Sequence, residues 1–224
     1  MRIIIINASP RINGLTATIL HNIEAKLMQK NADIEYYDLC RLSMSQCKGC
    51  CICYKTGHCV INDDAEKLSE KIKKADGVIL GSPTYAGNVS GYMKLMIDRG
   101  HFVIEQLLKD KYCVSVATGE NYGSMKTSRI LNDLILYSGG YISDSVIIDA
   151  PFNDIDPVLK KTDRLSSRSA DRMYRAILKH KIYPLQEIFH RIIFFVGIKP
   201  FVLKKGKDYD GVTNRWQDLG INVH

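Results

Sequence analysis

The chain has 224 residues, 46% hydrophobic and 25% charged, which excludes intrinsic disorder and allows one sizeable core with an appendage. A net charge of +7 is modest for this length, and no aromatic-interleaved basic stripe or recognised motif points to nucleic acid. The stretch Ile188–Leu203 is broken by His190, Arg191, Gly197, Lys199 and Pro200, so no membrane span is expected, and no signal peptide is visible, which places the protein in the cytoplasm.

In chain order, Arg2–Asn7 is a near-continuous β-branched run, the pattern of a strand buried on both faces. A helix follows over Gly14–Lys30 with Leu15, Ile19, Ile23 and Leu27 on one side, then a strand over Ile34–Leu39. A cysteine-rich loop leads to a helix at Asp64–Lys74, opened by the Asp63-Asp64 start signal. The strand Gly77–Gly81, helix Ser90–Leu108, strand Tyr112–Ala117, helix Ser124–Tyr137 and strand Tyr141–Ile148 complete the alternation. This predicts an α/β protein with a doubly wound, five-stranded parallel sheet in the order 2-1-3-4-5 over residues 1–150, ligands lying beyond the carboxyl ends of the strands. Asp149–Asp163 reads as a connection, Arg164–Lys181 as a polar helix and Pro184–Val196 as an apolar one, making residues 151–224 a C-terminal helical arm.

Directly after the first strand comes Ser9-Pro10-Arg11-Ile12-Asn13-Gly14-Leu15-Thr16-Ala17-Thr18. A helix N-terminus presents unpaired N–H groups, Ser9, Thr16 and Thr18 add hydroxyls, and Arg11 adds a fixed cation, so the loop suits an anion. With neither the triphosphate nor the dinucleotide glycine pattern present, it fits a monophosphate. A capping role for Ser9 or Asn13 alone does not account for the whole set. The third strand ends in Pro83-Thr84-Tyr85-Ala86-Gly87-Asn88 and the fourth in Thr118-Gly119-Glu120-Asn121-Tyr122, small and turn-forming segments able to wall a flat heteroaromatic ring.

Ser9-Pro10-Arg11 with Asn13, Gly14 and Thr16, then Gly81-Ser82-Pro83-Thr84-Tyr85 with Gly91, Lys94, Asp98 and Arg99, resembles the NADPH-dependent FMN reductase family of flavodoxin-like proteins over residues 1–148. The resemblance implies an FMN phosphate held by Ser9, Arg11 and Thr16, and a flavin ring against Pro83–Asn88 and Thr118–Tyr122. Two positions depart from the family pattern: Ala8 replaces its usual Gly, and Leu15 stands where Asn or Ser is usual, removing one phosphate ligand.

Five of the seven cysteines lie between Cys47 and Cys59, a crowding that suits metal or redox chemistry better than a disulfide framework. Cys47, Cys50, Cys53 and Cys59 follow a C-x2-C-x2-C-x5-C spacing that lets thiolates converge on one centre. The segment resembles the iron–sulfur flavoproteins, a branch of the same fold with a [4Fe–4S] cluster in this loop. A tetrahedral zinc site and a metal-free loop remain open alternatives. Cys51 is then an odd thiol, and Cys40 and Cys113 read as buried core thiols.

In the arm, Ile188, Phe189, Ile192, Phe195 and Val196 share a helical face that is expected to pack on the domain or on a second copy in a dimer or tetramer. These readings converge on an FMN-dependent oxidoreductase that takes electrons from NAD(P)H to a small-molecule or protein acceptor. The alternative is an electron carrier or a redox- or metal-sensing protein that does not oxidise NAD(P)H itself.

Overall fold

The structure, a computed structural model, describes residues 1–151, 154 and 156–223. The interior strand β1 (Arg2–Asn7) is flanked in parallel by β2 (Asp33–Asp38) and β3 (Gly77–Tyr85). Ile3, Ile4, Ile5 and Ile6 are all fully buried, two on each face of the sheet, which explains the uninterrupted isoleucine run. β5 (Tyr112–Gly119) and β6 (Tyr141–Asp149) extend the sheet in the order β2-β1-β3-β5-β6. A two-residue strand, β4 (Asn88–Val89), pairs antiparallel with the end of β3. With that ribbon set aside, the parallel strands follow the expected 2-1-3-4-5 order of flavodoxin-like folds.

The third strand runs four residues beyond its expected end at Gly81 because Thr84 and Tyr85 pair with Val89 and Asn88. Between them Ala86 (φ 51°) and Gly87 (φ 69°) are both left-handed, as the two-residue hairpin turn matching strand twist requires. Helix α1 (Leu15–Met28) packs Ile19, Leu20, Ile23 and Leu27 on one face of the sheet. The cysteine segment carries a five-residue helix, α2 (Ile52–Thr56), before α3 (Asp64–Lys73), which Asp63 caps by accepting from Ala65 N at 3.1 Å. Helix α4 (Gly91–Arg99), capped by Ser90, and α5 (Ser124–Tyr137) cover the second face with Met93, Met96, Leu131 and Ile135.

The helix expected to reach Leu108 stops instead at Arg99. Residues 100–110 wind through turns in which His101, Gln106 and Asp110 take positive φ, and the Gln106 side-chain amide donates to Val103 O (2.5 Å) and Tyr137 O (3.0 Å). Apolar spacing cannot distinguish such a folded-back segment from a helix, since both bury the same residues.

Helix α6 (Leu159–Leu178) starts five residues before the expected Arg164 and buries Ala170, Met173, Ala176 and Ile177 beside α1. Its Arg168 and Arg172 (both 2.9 Å) and Ser169 (2.6 Å) all engage Asp144 of β6. Positions 152, 153 and 155 of the expected connection lie outside the described residues. The apolar helix expected over Pro184–Val196 is α7 (Pro184–Ile192) continued by a wider π turn over Ile193–Ile198. Two further helices, α8 (Lys199–Lys205) and α9 (Asp210–Asp218), which periodicity did not reveal, follow it. Pro200, with no N–H to return to the preceding turn, sits in the first turn of α8. Phe194, Ile198, Val202, Tyr209, Val212 and Trp216 form a third core of their own. Cys113 is fully buried, and burial pushes its thiol up to about 12, whereas Cys40, expected in the core, is only part-buried in the turn just after β2. Among the described residues, no helix is long and apolar enough to cross a membrane.

Glu35 stitches β2 to its neighbours by accepting from Tyr37 Oη (2.6 Å) and Arg2 Nε (3.0 Å) and pairing with Lys71 Nζ (3.0 Å). Those hydrogen bonds, Tyr37 first, hold its carboxyl down to about 2 from an ordinary 4.5. A depressed carboxylate stabilises fully above its unfolded pKa and loses that contribution as pH falls through the folded value. Thermal melts of Glu35→Gln should therefore lie below wild type at neutral pH and approach it between pH 4.5 and about 2. A gap that does not narrow in that window refutes the assignment.

Candidate functional site

At the carboxyl edge of β1, β3, β5 and β6 a cavity of about 300 Å³ opens between the loops. Its first wall is the turn after β1. Ser9 N is held by Asn7 Oδ1 (3.0 Å), Ser9 Oγ both accepts from Arg11 N and donates to Arg11 O (3.1 Å each), and Gly14 N closes the turn onto Arg11 O (3.0 Å). A Cβ on Gly14 would lie 3.1 Å from Arg11 Cβ, so glycine permits the tight passage into α1. No side chain caps α1, and Gly14, Leu15 and Thr16 of its N-terminal end line the cavity. A helix start without a side-chain cap, flanked by Ser9 and Arg11, is a ready anion site.

The other walls are the ends of β3 and β5. Thr16 Oγ1 and Thr118 Oγ1, both buried, share a 2.7 Å hydrogen bond that ties α1 to β5. Pro83, Thr84, Tyr85, Ala86 and Gly87 face Thr118, Gly119, Glu120, Asn121 and Tyr122 across the cavity. Two glycines sit in close quarters here, and Gly123 is the one that lets the two loops approach. A Cβ on Gly119 would meet Asp149 Oδ1 at 2.6 Å, and Gly123, at φ +90°, would place one 3.1 Å from Gly87 Cα. Thr84 Oγ1 donates to Thr127 Oγ1 (3.0 Å), fixing the hairpin against α5. Tyr85 and Tyr122 are exposed at the site, the latter at 71%.

Of the residues expected to bind cofactor, Ser9, Arg11, Gly14, Thr16, Pro83–Gly87, Thr118, Gly119, Glu120 and Tyr122 meet in this cavity. Asn13, Ala17, Thr18 and Asn88 are not among its lining. Ala17 is fully buried in the core, Thr18 donates to Gly14 O (3.1 Å), and Asn88 accepts from the N–H of Val89 (2.8 Å). Asn121, within the expected Thr118–Tyr122 segment, lines it too, and so do Leu15, Ala150 and Pro151, which were not foreseen as ligands. The last two follow β6, whose carboxyl end faces the same edge, and Ala150 N reaches Gly119 O at 2.9 Å.

The cysteine segment begins beyond the other flank, after β2. Cys47 and Cys50 are exposed, Cys53 on α2 and Cys59 part-buried. Gly49 N donates to Cys47 Sγ (3.4 Å) and Arg99 Nη2 to Cys59 Sγ (3.5 Å). Gly49, Cys51 and Gly57 take positive φ, giving the segment its sharp turns. Nearby, His101 Nδ1 meets Glu105 Oε1 at 2.8 Å. Burial opposes protonation of this imidazole, but hydrogen bonding to Cys53 and Glu105 outweighs it and raises its pKa to about 10. Among the described residues, no three His, Cys, Asp or Glu side chains are grouped closely enough to hold a metal ion.

The model of the NADPH-dependent FMN reductase family matches residues 1–150. The chain belongs to that family. It is accordingly a flavin-dependent oxidoreductase with a flavodoxin-like fold. It is 36% identical over 225 residues to an iron–sulfur flavoprotein of Clostridioides difficile, covering 99% of this chain and 100% of that one. An iron–sulfur flavoprotein of Methanocaldococcus jannaschii is 32% identical over 149 residues, covering 65% of this chain and 77% of the relative. Among solved structures, a WrbA-like flavodoxin from Agrobacterium tumefaciens superposes with a TM-score of 0.56 at 16% identity, covering 80% of this chain and 99% of that one.

Gly123→Ala adds a side chain at φ +90° and 3.1 Å from the Gly87 backbone. The variant should lose FMN on gel filtration far more readily than wild type, as read from the flavin-to-protein absorbance ratio. An unchanged ratio would mean that the cofactor does not need this approach of the two loops.

Proposed function

We propose that the chain is an FMN-dependent NAD(P)H oxidoreductase that passes electrons through bound flavin to an acceptor by way of a [4Fe–4S] cluster. The observation that carries the flavin half is a single cavity joining an uncapped helix start, beside Ser9, Arg11 and Thr16, to two facing turn segments. The first group suits the ribityl phosphate: the α1 N–H groups and the Arg11 guanidinium neutralise its charge, and the Ser9 hydroxyl adds a hydrogen bond. Pro83–Gly87 and Thr118–Tyr122 suit the ring, with Gly87 and Gly119 letting backbone approach its edge and Tyr85 and Tyr122 offering apolar area at the mouth. Leu15, in place of a polar ligand, turns an apolar side chain toward this end of the cavity. The flavin, once bound, supplies the hydride-accepting and electron-splitting chemistry, and the protein's part is to orient it and set its electrostatics.

The iron–sulfur half rests on the donor set. Four thiols at C-x2-C-x2-C-x5-C, with the Arg99 cation reaching Cys59 at 3.5 Å, are the ligands and charge balance that a thiolate cluster takes. Cys47, Cys50, Cys53 and Cys59 would hold it, with the sharply turned segment closing around the group. The names of the two archaeal and clostridial relatives support the same reading. Free cysteines throughout fit a reducing, cytoplasmic setting. Leu185, Ile188, Phe189, Ile192, Phe195 and Val196 form an exposed apolar face along α7 and the turn after it, which favours a homo-oligomer.

Protein purified without oxygen should show flavin absorption with a broad visible shoulder and about four irons with matching sulfide per chain, as a [4Fe–4S] centre requires. Adding NADPH or NADH anaerobically should bleach the flavin. Flavin without iron after reconstitution sinks the cluster, and a flavin that neither nucleotide reduces sinks direct NAD(P)H oxidation. Arg11→Ala should weaken FMN binding by an order of magnitude or more, about the effect of losing one charge-assisted phosphate contact of 1.5–3 kcal/mol. Equal FMN affinity in fluorescence titrations would remove Arg11 from the phosphate site.

A further inference from the structure

The cysteine segment cannot hold its own shape. Its one helix, α2, has five residues and none of them is buried, well short of the length at which an isolated helix persists in water. Besides the His58 Nδ1–Glu66 Oε1 contact (2.6 Å) to α3, two external features hold it. At the neck of the loop, the Arg99 side chain is 1% exposed and gathers both ends of the segment. Its Nη1 donates to Ser45 O (2.7 Å) and Asp63 Oδ2 (2.8 Å), and its Nη2 to Asp63 Oδ1 (2.9 Å), Ile61 O (3.3 Å) and Cys59 Sγ (3.5 Å).

The second hold comes from the far end of the chain. Helix α9 lies directly on α2, so close that a Cβ on Gly211 would stand 2.2 Å from Gly57 N and 2.9 Å from Tyr54 O. No side chain larger than hydrogen fits between these backbones. Tyr209, just ahead of α9, stacks on Tyr54 at 4.8 Å between ring centroids. The helix is itself firmly anchored. Trp216 is fully buried and donates to Ile104 O (2.9 Å), while Arg215 reaches Glu105 (3.1 Å) and Glu70 (3.3 Å). Glu105 in turn accepts from His101, whose ring meets the edge of Tyr54 at 5.7 Å. An anchored helix pressed on a one-turn helix transmits its position to the residues that helix carries, and α2 carries Cys53.

We infer that the C-terminal segment Tyr209–Trp216 is a clamp that sets the position of the cysteine segment, so that assembly of a metal centre on Cys53 and Cys59 depends on a helix outside the flavodoxin-like sheet. Gly211 and Arg215 act as positioning residues. The metal-centre part rests on the cluster reading above, whereas the clamp stands on the packing alone. The clostridial relative, aligned along its full length, spans this segment, and residues 1–150 matched by the family model do not.

The test uses the full-length protein with FMN bound. Gly211→Ala and Arg215→Gln are compared with wild type and with Gly197→Ala, a control whose added methyl meets nothing within 4 Å. Three quantities are read: FMN per chain, iron and sulfide per chain after anaerobic reconstitution, and the rate of alkylation of Cys53 and Cys59 in iron-free protein, resolved by mass spectrometry. The clamp predicts unchanged FMN, severalfold less iron and severalfold faster alkylation of both thiols in the two variants, with the control like wild type. Arg215→Lys should recover part of the protection. Wild-type labelling rates in both Gly211→Ala and Arg215→Gln overturn the clamp whatever the iron content. Loss of FMN in both variants makes α9 a general support of the fold and overturns its specific role. If wild type takes up no iron, the cluster reading fails and the alkylation rates alone judge the clamp.

Discussion

Burial of β1 on both faces is the constraint from which the remainder follows. Ile4 and Ile6 enter one core and Ile3 and Ile5 the other, so four fully buried isoleucines join the two layers across one strand. Each such side chain is worth roughly 1.5–3 kcal/mol in transfer from water, a large share of the net stability of a domain. Because β1 is also an interior strand, between β2 and β3, its end fixes where the chain can leave the sheet. Asn7, the last residue of β1, donates to Asp38 Oδ1 (2.8 Å) at the end of β2 and accepts from Ser9 N (3.0 Å) in the turn after β1. One side chain thereby ties the starting points of the turn after β1 and of the segment that leads to the cysteines.

The site beyond that edge is assembled by close backbone approaches rather than by reaching side chains. Gly14 lets α1 start tightly against Arg11, and Gly123 lets α5 start against the Ala86-Gly87 turn. The Thr16–Thr118 and Thr84–Thr127 hydroxyl pairs then lock α1 and α5 to the strands that face them. A cradle built on close backbone contacts of this kind is suited to hold a cofactor in place, with the chemistry left to the cofactor. The cysteine segment is built on the opposite plan. It has little internal structure and takes its shape from Arg99 at its neck and from a glycine contact with α9.

Much of this could be read before any coordinates, and for a physical reason. A strand buried on both faces has to be continuously apolar, and alternation of strands and amphipathic stretches leaves few sheet orders. A doubly wound sheet brings the loops after successive strands to one edge, so Ser9, Arg11 and Thr16 and the segments Pro83–Gly87 and Thr118–Tyr122 could be grouped from their places in the chain. The spacing of Cys47, Cys50, Cys53 and Cys59 is likewise a local property. What escaped was non-local or conformational. Asn88 and Thr18 have the right chemistry, but the hairpin turn and the first turn of α1 direct their hydrogen bonds to backbone. Ala150 and Pro151 join the cavity only because β6 ends beside β5. The stop of α4 at Arg99 depends on left-handed residues and on the Gln106 amide, which an apolar pattern does not record.

By itself, then, the sequence determined the class of fold, the sheet edge at which the loops after successive strands collect and the residue types those loops carry, since all of these follow from local pattern and strand order. Tertiary structure decided which of those residues share one cavity and that Gly211 rests on Gly57 across the length of the chain. No local pattern contains such a contact, because the reason for a glycine at 211 is the backbone of another helix 2.2 Å from where its Cβ would be.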